Sequence, residues 1–146
     1  INTKICYIYY NNSMKEVTSM PYISFLNSWK NHDLERVKEM IDDTVSAYYI
    51  NDLGVPVALN KKRLIQLLAT RMSAVSADPK LQWNFEMIHR AHIHGNQMIM
   101  FYAYTQENQD YRETPKTLLT MTFGENPKNN INQIKSVYIT PNVTDI

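Results

Sequence analysis

Three observations predict an α+β fold, with three N-terminal helices packed in the concave face of a strongly curved, mainly antiparallel sheet. Apolar residues recur at helical spacing up to about Ala77, they alternate with period two beyond Leu81, and the two regimes follow one another rather than interleaving. The 146 residues match one domain, and a compact domain of that length buries roughly two-thirds of its surface. With 44% apolar residues, 20% charged residues and only 3 Gly, the composition is neither disordered nor fibrous. The net charge of +1 gives a nucleic-acid partner no electrostatic support.

From Pro21 to Asn31, Ile23, Phe25, Leu26 and Trp29 share one helical stripe, and Pro21 suits a first-turn position. A second helix is expected to begin near Asp33, a capping residue, with Leu34, Val37, Met40 and Ile41 as its apolar face. The β-branched and aromatic segment Thr44–Ile50 reads as a strand closed by the turn residues Asn51-Asp52-Leu53-Gly54. Asn60 caps a third helix whose apolar face is Leu64, Ile65, Leu67, Leu68, Met72 and Val75, and Asp78-Pro79 ends it. Lys61, Lys62 and Arg63 oppose the helix dipole at its start, as a solvated face or as an anion-binding cluster.

Beyond the helices, residues 82–94 and 97–106 flank Gly95-Asn96, and glycine at the first central position fits a type II′ hairpin. This register sets His89 opposite Tyr102 and Met87 opposite Tyr104. Further strands are expected over Lys116–Phe123 and Ile131–Thr140. Cys6 is the only cysteine, which excludes an internal disulfide and a cysteine-based zinc site and fits a reducing, cytoplasmic home. The apolar run Ile5–Tyr10 is short of a membrane span of about 20 residues, so no membrane partner is expected. Residues 1–13 read as an N-terminal extension whose Ile5–Tyr10 segment has the content of an edge strand, and residues 14–146 read as a single domain.

The segments Trp29–Val37, Met40–Val45 and Asn60–Leu68, followed by the terminal meander, resemble the SnoaL-like and nuclear-transport-factor-two-like superfamily. That resemblance implies a cystatin-like, cone-shaped α+β barrel with a pocket for a small apolar or cyclic ligand, and a homodimer formed through the sheets. It also implies where chemistry is missing. The tyrosine that serves the ketosteroid isomerase branch as oxyanion donor falls near Phe25, which has no hydroxyl. Dehydratase relatives use a histidine, a tyrosine and an aspartate, which His89, Tyr102 and Asp52 would supply.

By parity, Trp83, Phe85, Met87, His89, Ala91 and Ile93 face inward with Met98, Met100, Tyr102 and Tyr104 across the hairpin. Phe85, Met87, Met98, Met100 and Tyr104, with Phe25 and Trp29 from the first helix, are then the expected lining of a small-molecule pocket. His89 and Tyr102 would form a proton-transfer pair within it, or simply satisfy each other in the core. Arg90 is expected to point outward, removing the arginine that epoxide hydrolases of the superfamily use. His92 and His94 point the same way but lie outward beside a turn without closing ligands, so neither metal nor cofactor is expected, and His32 belongs to a helix junction. Ile88, Ile99 and Phe101, left outside by the same parity, are the expected homodimer surface. Three readings follow: a ligand-binding protein of unassigned reaction, a cofactor-independent dehydratase, isomerase or cyclase, and a non-catalytic interaction module.

Overall fold

The computed structural model describes residues 20–105 and 110–145, so the expected extension over residues 1–13 lies outside the described residues. Pro21 opens helix α1 (Pro21–Lys30), whose buried face is Tyr22, Ile23, Phe25, Ser28 and Trp29. His32 then adopts a left-handed backbone (φ +58°), and the turn is closed by Asp33 N donating to Ser28 O at 2.8 Å. The Asp33 carboxylate accepts from Arg36 N at 3.1 Å and so caps α2 (Leu34–Glu39). Helical periodicity extends to Ile41 in the sequence, but the helix stops at Glu39, and Ile41 instead opens strand β1 (Ile41–Ile50) beside Ile134. A β-branched residue fully buried on a sheet satisfies both its packing and its backbone there.

Strand β2 (Pro56–Leu59) pairs with β1 across a turn in which Asn51 Oδ1 accepts from Leu53 N at 2.9 Å and Val55 N at 3.0 Å. Its first three residues are exposed, so it has no buried face to produce an alternating pattern. Helix α3 (Lys61–Ser76) is capped by Asn60, which accepts from Arg63 N at 2.9 Å, and buries Leu64, Leu68, Met72 and Val75 along one stripe. Lys61 pairs with Asp43 at 2.8 Å, which ties the start of α3 to β1.

Strands β3 (Trp83–Ile93), β4 (Asn96–Thr105), β5 (Lys116–Asn126) and β6 (Ile131–Val143) complete, among the described residues, a six-stranded open sheet of order β2-β1-β6-β5-β4-β3. Among the described residues only the β1–β6 pairing is parallel. The helices cover one face, and the core between them includes Phe25, Trp29, Leu64, Ile99, Phe101, Leu119, Phe123 and Ile139.

The hairpin differs from expectation in two ways that decide everything downstream. Its two-residue loop is His94-Gly95, with φ of +49° and +82°, so Ile93 faces Asn96. Two positive φ values define a type I′ turn, which matches strand twist at least as well as the expected type II′ turn at Gly95-Asn96. The second difference is a bulge at Ile88: Met87 pairs with Phe101 and His89 with Met100. An extra residue on one strand reverses its parity. Trp83, Phe85 and Met87 therefore face inward as expected, but beyond the bulge Arg90 takes the inner side and His89 the outer.

On β4 the inner residues are Ile99, Phe101 and Ala103, at 0%, 0% and 2% exposure. Met98, Met100, Tyr102 and Tyr104 take the outer side. The hydrophobic driving force selects this face, because β-branched and aromatic hydrocarbon gains more from burial than thioethers and phenols do. Ile99 and Phe101 are thus core residues and cannot be a dimer surface, whereas Ile88 remains 44% exposed.

Candidate functional site

The interior beneath α1 is filled by aromatic rings. Trp29 lies edge-to-face against Phe25, Trp83, Phe85 and Phe101, with ring centroids 5.8, 5.1, 5.2 and 6.5 Å away. Phe25 in turn meets Phe123 at 6.3 Å. Such offset contacts add to the burial energy of each ring. Phe25 and Trp29, expected to touch a ligand, instead form the wall behind it, and the cavity left inside, beside Trp29 and Trp83, is only about 10 Å³.

A cleft of about 470 Å³ opens where α1 crosses β3. Tyr22, Ile23, Leu26, Asn27 and Lys30 of α1 form one wall, and Phe85, Met87 and Arg90 of β3 form the other. Arg90 Nη1 donates to the Tyr22 hydroxyl at 2.6 Å, and its guanidinium lies 5.7 Å from the centre of the Tyr22 ring. Tyr22 is 5% exposed, so this bond fixes the guanidinium at the edge of the apolar wall. Among the described residues the lining holds two cationic side chains and no carboxylate. Such an arrangement suits negative charge beside hydrocarbon, and the described lining residues include no imidazole, thiol or carboxylate.

Phe85 and Met87 reach this cleft as expected. The other sequence candidates lie elsewhere. His89 is exposed on the outer face beside Met100, and Tyr102 faces Glu86, so the hairpin does not set the imidazole against the phenol. Asp52 is exposed in the β1–β2 turn. Met98, Met100 and Tyr104 are partly covered on the outer face, Tyr104 edge-to-face with Tyr111 at 5.6 Å. The sequence reading missed Tyr22, Lys30 and Arg90. Lys30 and Tyr22 follow from the α1 stripe once the cleft is known, but Arg90 depends on the bulge, for which the residues give no local signal.

Two polar clusters flank the sheet. On the outer side, Tyr111 donates to Glu86 Oε1, and that carboxylate, with burial, pushes the phenol well above its ordinary range. Burial, then Glu86, likewise raises Tyr104. Lys116, 1% exposed, donates to Tyr111 O at 2.7 Å and Thr114 O at 3.1 Å, and its ammonium sits 3.9 Å from the Tyr111 ring centre. These bonds satisfy a buried cation and clamp the 110–115 segment on the sheet. At the β1–β6 junction, Asp42 accepts from Lys135 Nζ at 2.7 Å and from Thr44 N and Oγ1 at 2.8 Å each. Lys135, then Thr44, holds its carboxyl at about 2. A second depression, of about 810 Å³ between α2 and the β5–β6 turn, mixes Arg36 and Lys61 with Glu39 and Asp43, so its cations already face carboxylates.

This architecture, helices over one face of an open sheet with one parallel edge pairing, is the cone-shaped α+β fold of nuclear-transport-factor-two-like and cystatin-like proteins. Among solved structures, similar ones include a domain from Thiobacillus denitrificans provisionally assigned as a calcium/calmodulin-dependent protein kinase type II association domain. It is 11% identical, with TM-score 0.58 over 82% of this chain and 90% of that chain. A nuclear-transport-factor-two-like protein from Streptomyces avermitilis, provisionally assigned as a dehydratase, is 10% identical, with TM-score 0.58 over 84% and 91%. A domain of unknown function with a cystatin-like fold from Nostoc punctiforme is 9% identical, with TM-score 0.58 over 89% and 78%. No protein-family model and no curated protein matches the sequence. Identities this low establish a shared fold and nothing about a shared reaction.

Proposed function

We propose that the protein is a ligand-binding module whose α1–β3 cleft holds a small amphipathic anion, such as an aromatic or aliphatic carboxylate. Its apolar part packs on Ile23, Leu26, Phe85 and Met87, and its anionic head lies at Arg90 and Lys30. The observation that carries this reading is a guanidinium fixed at the edge of a hydrocarbon wall, with no acid among the described lining residues. It narrows the apolar or cyclic ligand expected from the sequence by giving it a charge.

Anilinonaphthalene sulfonate, an apolar ring system carrying one anionic group, is a direct probe. The expected result is saturable binding at one site, weakened about tenfold in Arg90→Gln, the loss typical of a charge-assisted contact. Met87→Glu is expected to abolish it. Probe binding that never saturates, or that is unchanged in both variants, overturns the reading.

A further inference from the structure

We infer that the ligand of the α1–β3 cleft carries an anionic group at each end of an apolar chain, as an α,ω-dicarboxylate does. The inference rests on the reading of this cleft as an anion site and deepens it by dividing the charge between two ends. Two independent contacts orient the cleft as a trough. At one end Arg90 Nη1 donates to the Tyr22 hydroxyl at 2.6 Å, and at the other Trp29 lies against Trp83 and Phe85, with ring centroids 5.1 and 5.2 Å away. Helix and strand therefore run in opposite directions, and Lys30, next to Trp29 in the chain, stands at the Phe85 end. Tyr22 and Lys30 are eight residues apart on α1, an axial rise of about 12 Å. Phe85 and Arg90 are five residues apart on β3, and with the extra residue of the Ile88 bulge discounted they span about 13 Å. The two walls thus agree on a trough with a cation at each end.

What lies between the cations is hydrocarbon. Ile23 and Leu26 from α1 and Phe85 and Met87 from β3 line the trough, and the described lining residues bring no carboxylate to either end. The described ion pairs include neither Lys30 nor Arg90. Side chains on a helix lean toward its N-terminus, so Tyr22 and Lys30 lean the same way and keep their offset. One anionic group at each end therefore meets both cations while the chain between them covers the apolar wall, which neither a short dianion nor a monoacid does. The two ends differ in kind. Arg90 is held by Tyr22 and offers a fork of further N–H donors, whereas Lys30 is an exposed point charge in the last turn of α1. The Arg90 end thus anchors an acid, and the Lys30 end distinguishes a diacid from a monoacid.

Decanedioate, comparable in length with the trough, and its monomethyl ester share one chain and differ by one charge, so displacement of bound anilinonaphthalene sulfonate by each isolates the second anionic end. Decanedioate is expected to displace the probe at a concentration about fivefold lower than the ester, the gain of a well-placed exposed ion pair. Lys30→Gln is expected to remove that difference by weakening decanedioate alone, whereas Arg90→Gln weakens both. Because Lys30 is exposed, this substitution leaves the core intact. Butanedioate, too short to reach from one cation to the other, is expected not to compete in the same concentration range. The inference is overturned if the ester competes as well as the diacid, if Lys30→Gln weakens both equally, if butanedioate matches decanedioate, or if neither long-chain compound competes. In each of those outcomes saturable probe binding that falls in Arg90→Gln still supports the single-anion reading. A probe that never saturates removes that reading and the inference with it.

Discussion

At the scale of single residues, Asp42 shows how one buried acid couples distant parts of the chain. It is 5% exposed, and its partner Lys135 lies 93 positions away. Because folding lowers its carboxyl from 3.8 to about 2, the associated stability is fully present above the unfolded value and is lost as pH falls from about 4 to about 2. Asp42→Asn is expected to cost on the order of 1–3 kcal/mol at neutral pH, since it removes the buried carboxylate charge that pairs with the partly covered Lys135. It should also flatten the acid limb of a urea-stability against pH profile, and an unchanged limb would show that other carboxylates control acid unfolding. Residues with local roles were the ones legible in the sequence. Pro21 at a first turn, Asp33 and Asn60 as caps and His32 at the junction are set by neighbours within a few positions. Arg90 and Arg71 were not, because what faces them is decided by strands and helices far away in sequence.

At the scale of elements, the β3–β4 hairpin carries the main difference between sequence and structure. Period-two alternation reveals that strands exist, yet the pattern Gln97-Met98-Ile99-Met100-Phe101-Tyr102 is apolar on both sides and does not say which side is buried. The loop at 94–95 in place of 95–96 shifts the register by two, and the bulge at Ile88 then exchanges the faces of β4: Met98, Met100 and Tyr104, expected as pocket lining, lie on the outer side, and Ile99 and Phe101, expected as surface, are core. The turn itself is testable. His94 at φ +49° pays for a conformation that asparagine adopts more readily, so His94→Asn is expected to stabilise the protein by about 0.5 kcal/mol. Gly95→Ala is expected to destabilise it by about 1 kcal/mol or more. No atom lies within 4 Å of the added methyl group, so the cost would be backbone strain alone. Thermal unfolding of the two variants measures both signs, and a destabilised His94→Asn would contradict the assigned turn.

At the scale of the whole molecule, the outer sheet face lies opposite the helices. One rung across it reads His89, Met100, Thr120, Tyr138 and Tyr48, with the two tyrosine rings stacked at 5.0 Å. Ile88, Ile93 and Tyr138 are 44%, 43% and 48% exposed, and the net charge of +1 offers little self-repulsion. We propose that a second copy of the chain covers this face by two-fold pairing, which replaces the expected Ile99 and Phe101 by Tyr138, Met100 and Ile93 while keeping Ile88. Light scattering is expected to give twice the 17.1 kDa chain mass at micromolar concentration and a monomer for Tyr138→Glu; a wild-type monomer would remove the proposal. Among the described residues no helix is long and apolar enough to cross a membrane. The parallel pairing of β1 with β6 has one more consequence, which concerns synthesis. Among the described residues β1 pairs with β2, made directly after it, and with β6, which is made after β3, β4 and β5. During synthesis the joining of the β1–β2 pair to the β3–β5 meander therefore waits for β6, a pairing of high sequence separation.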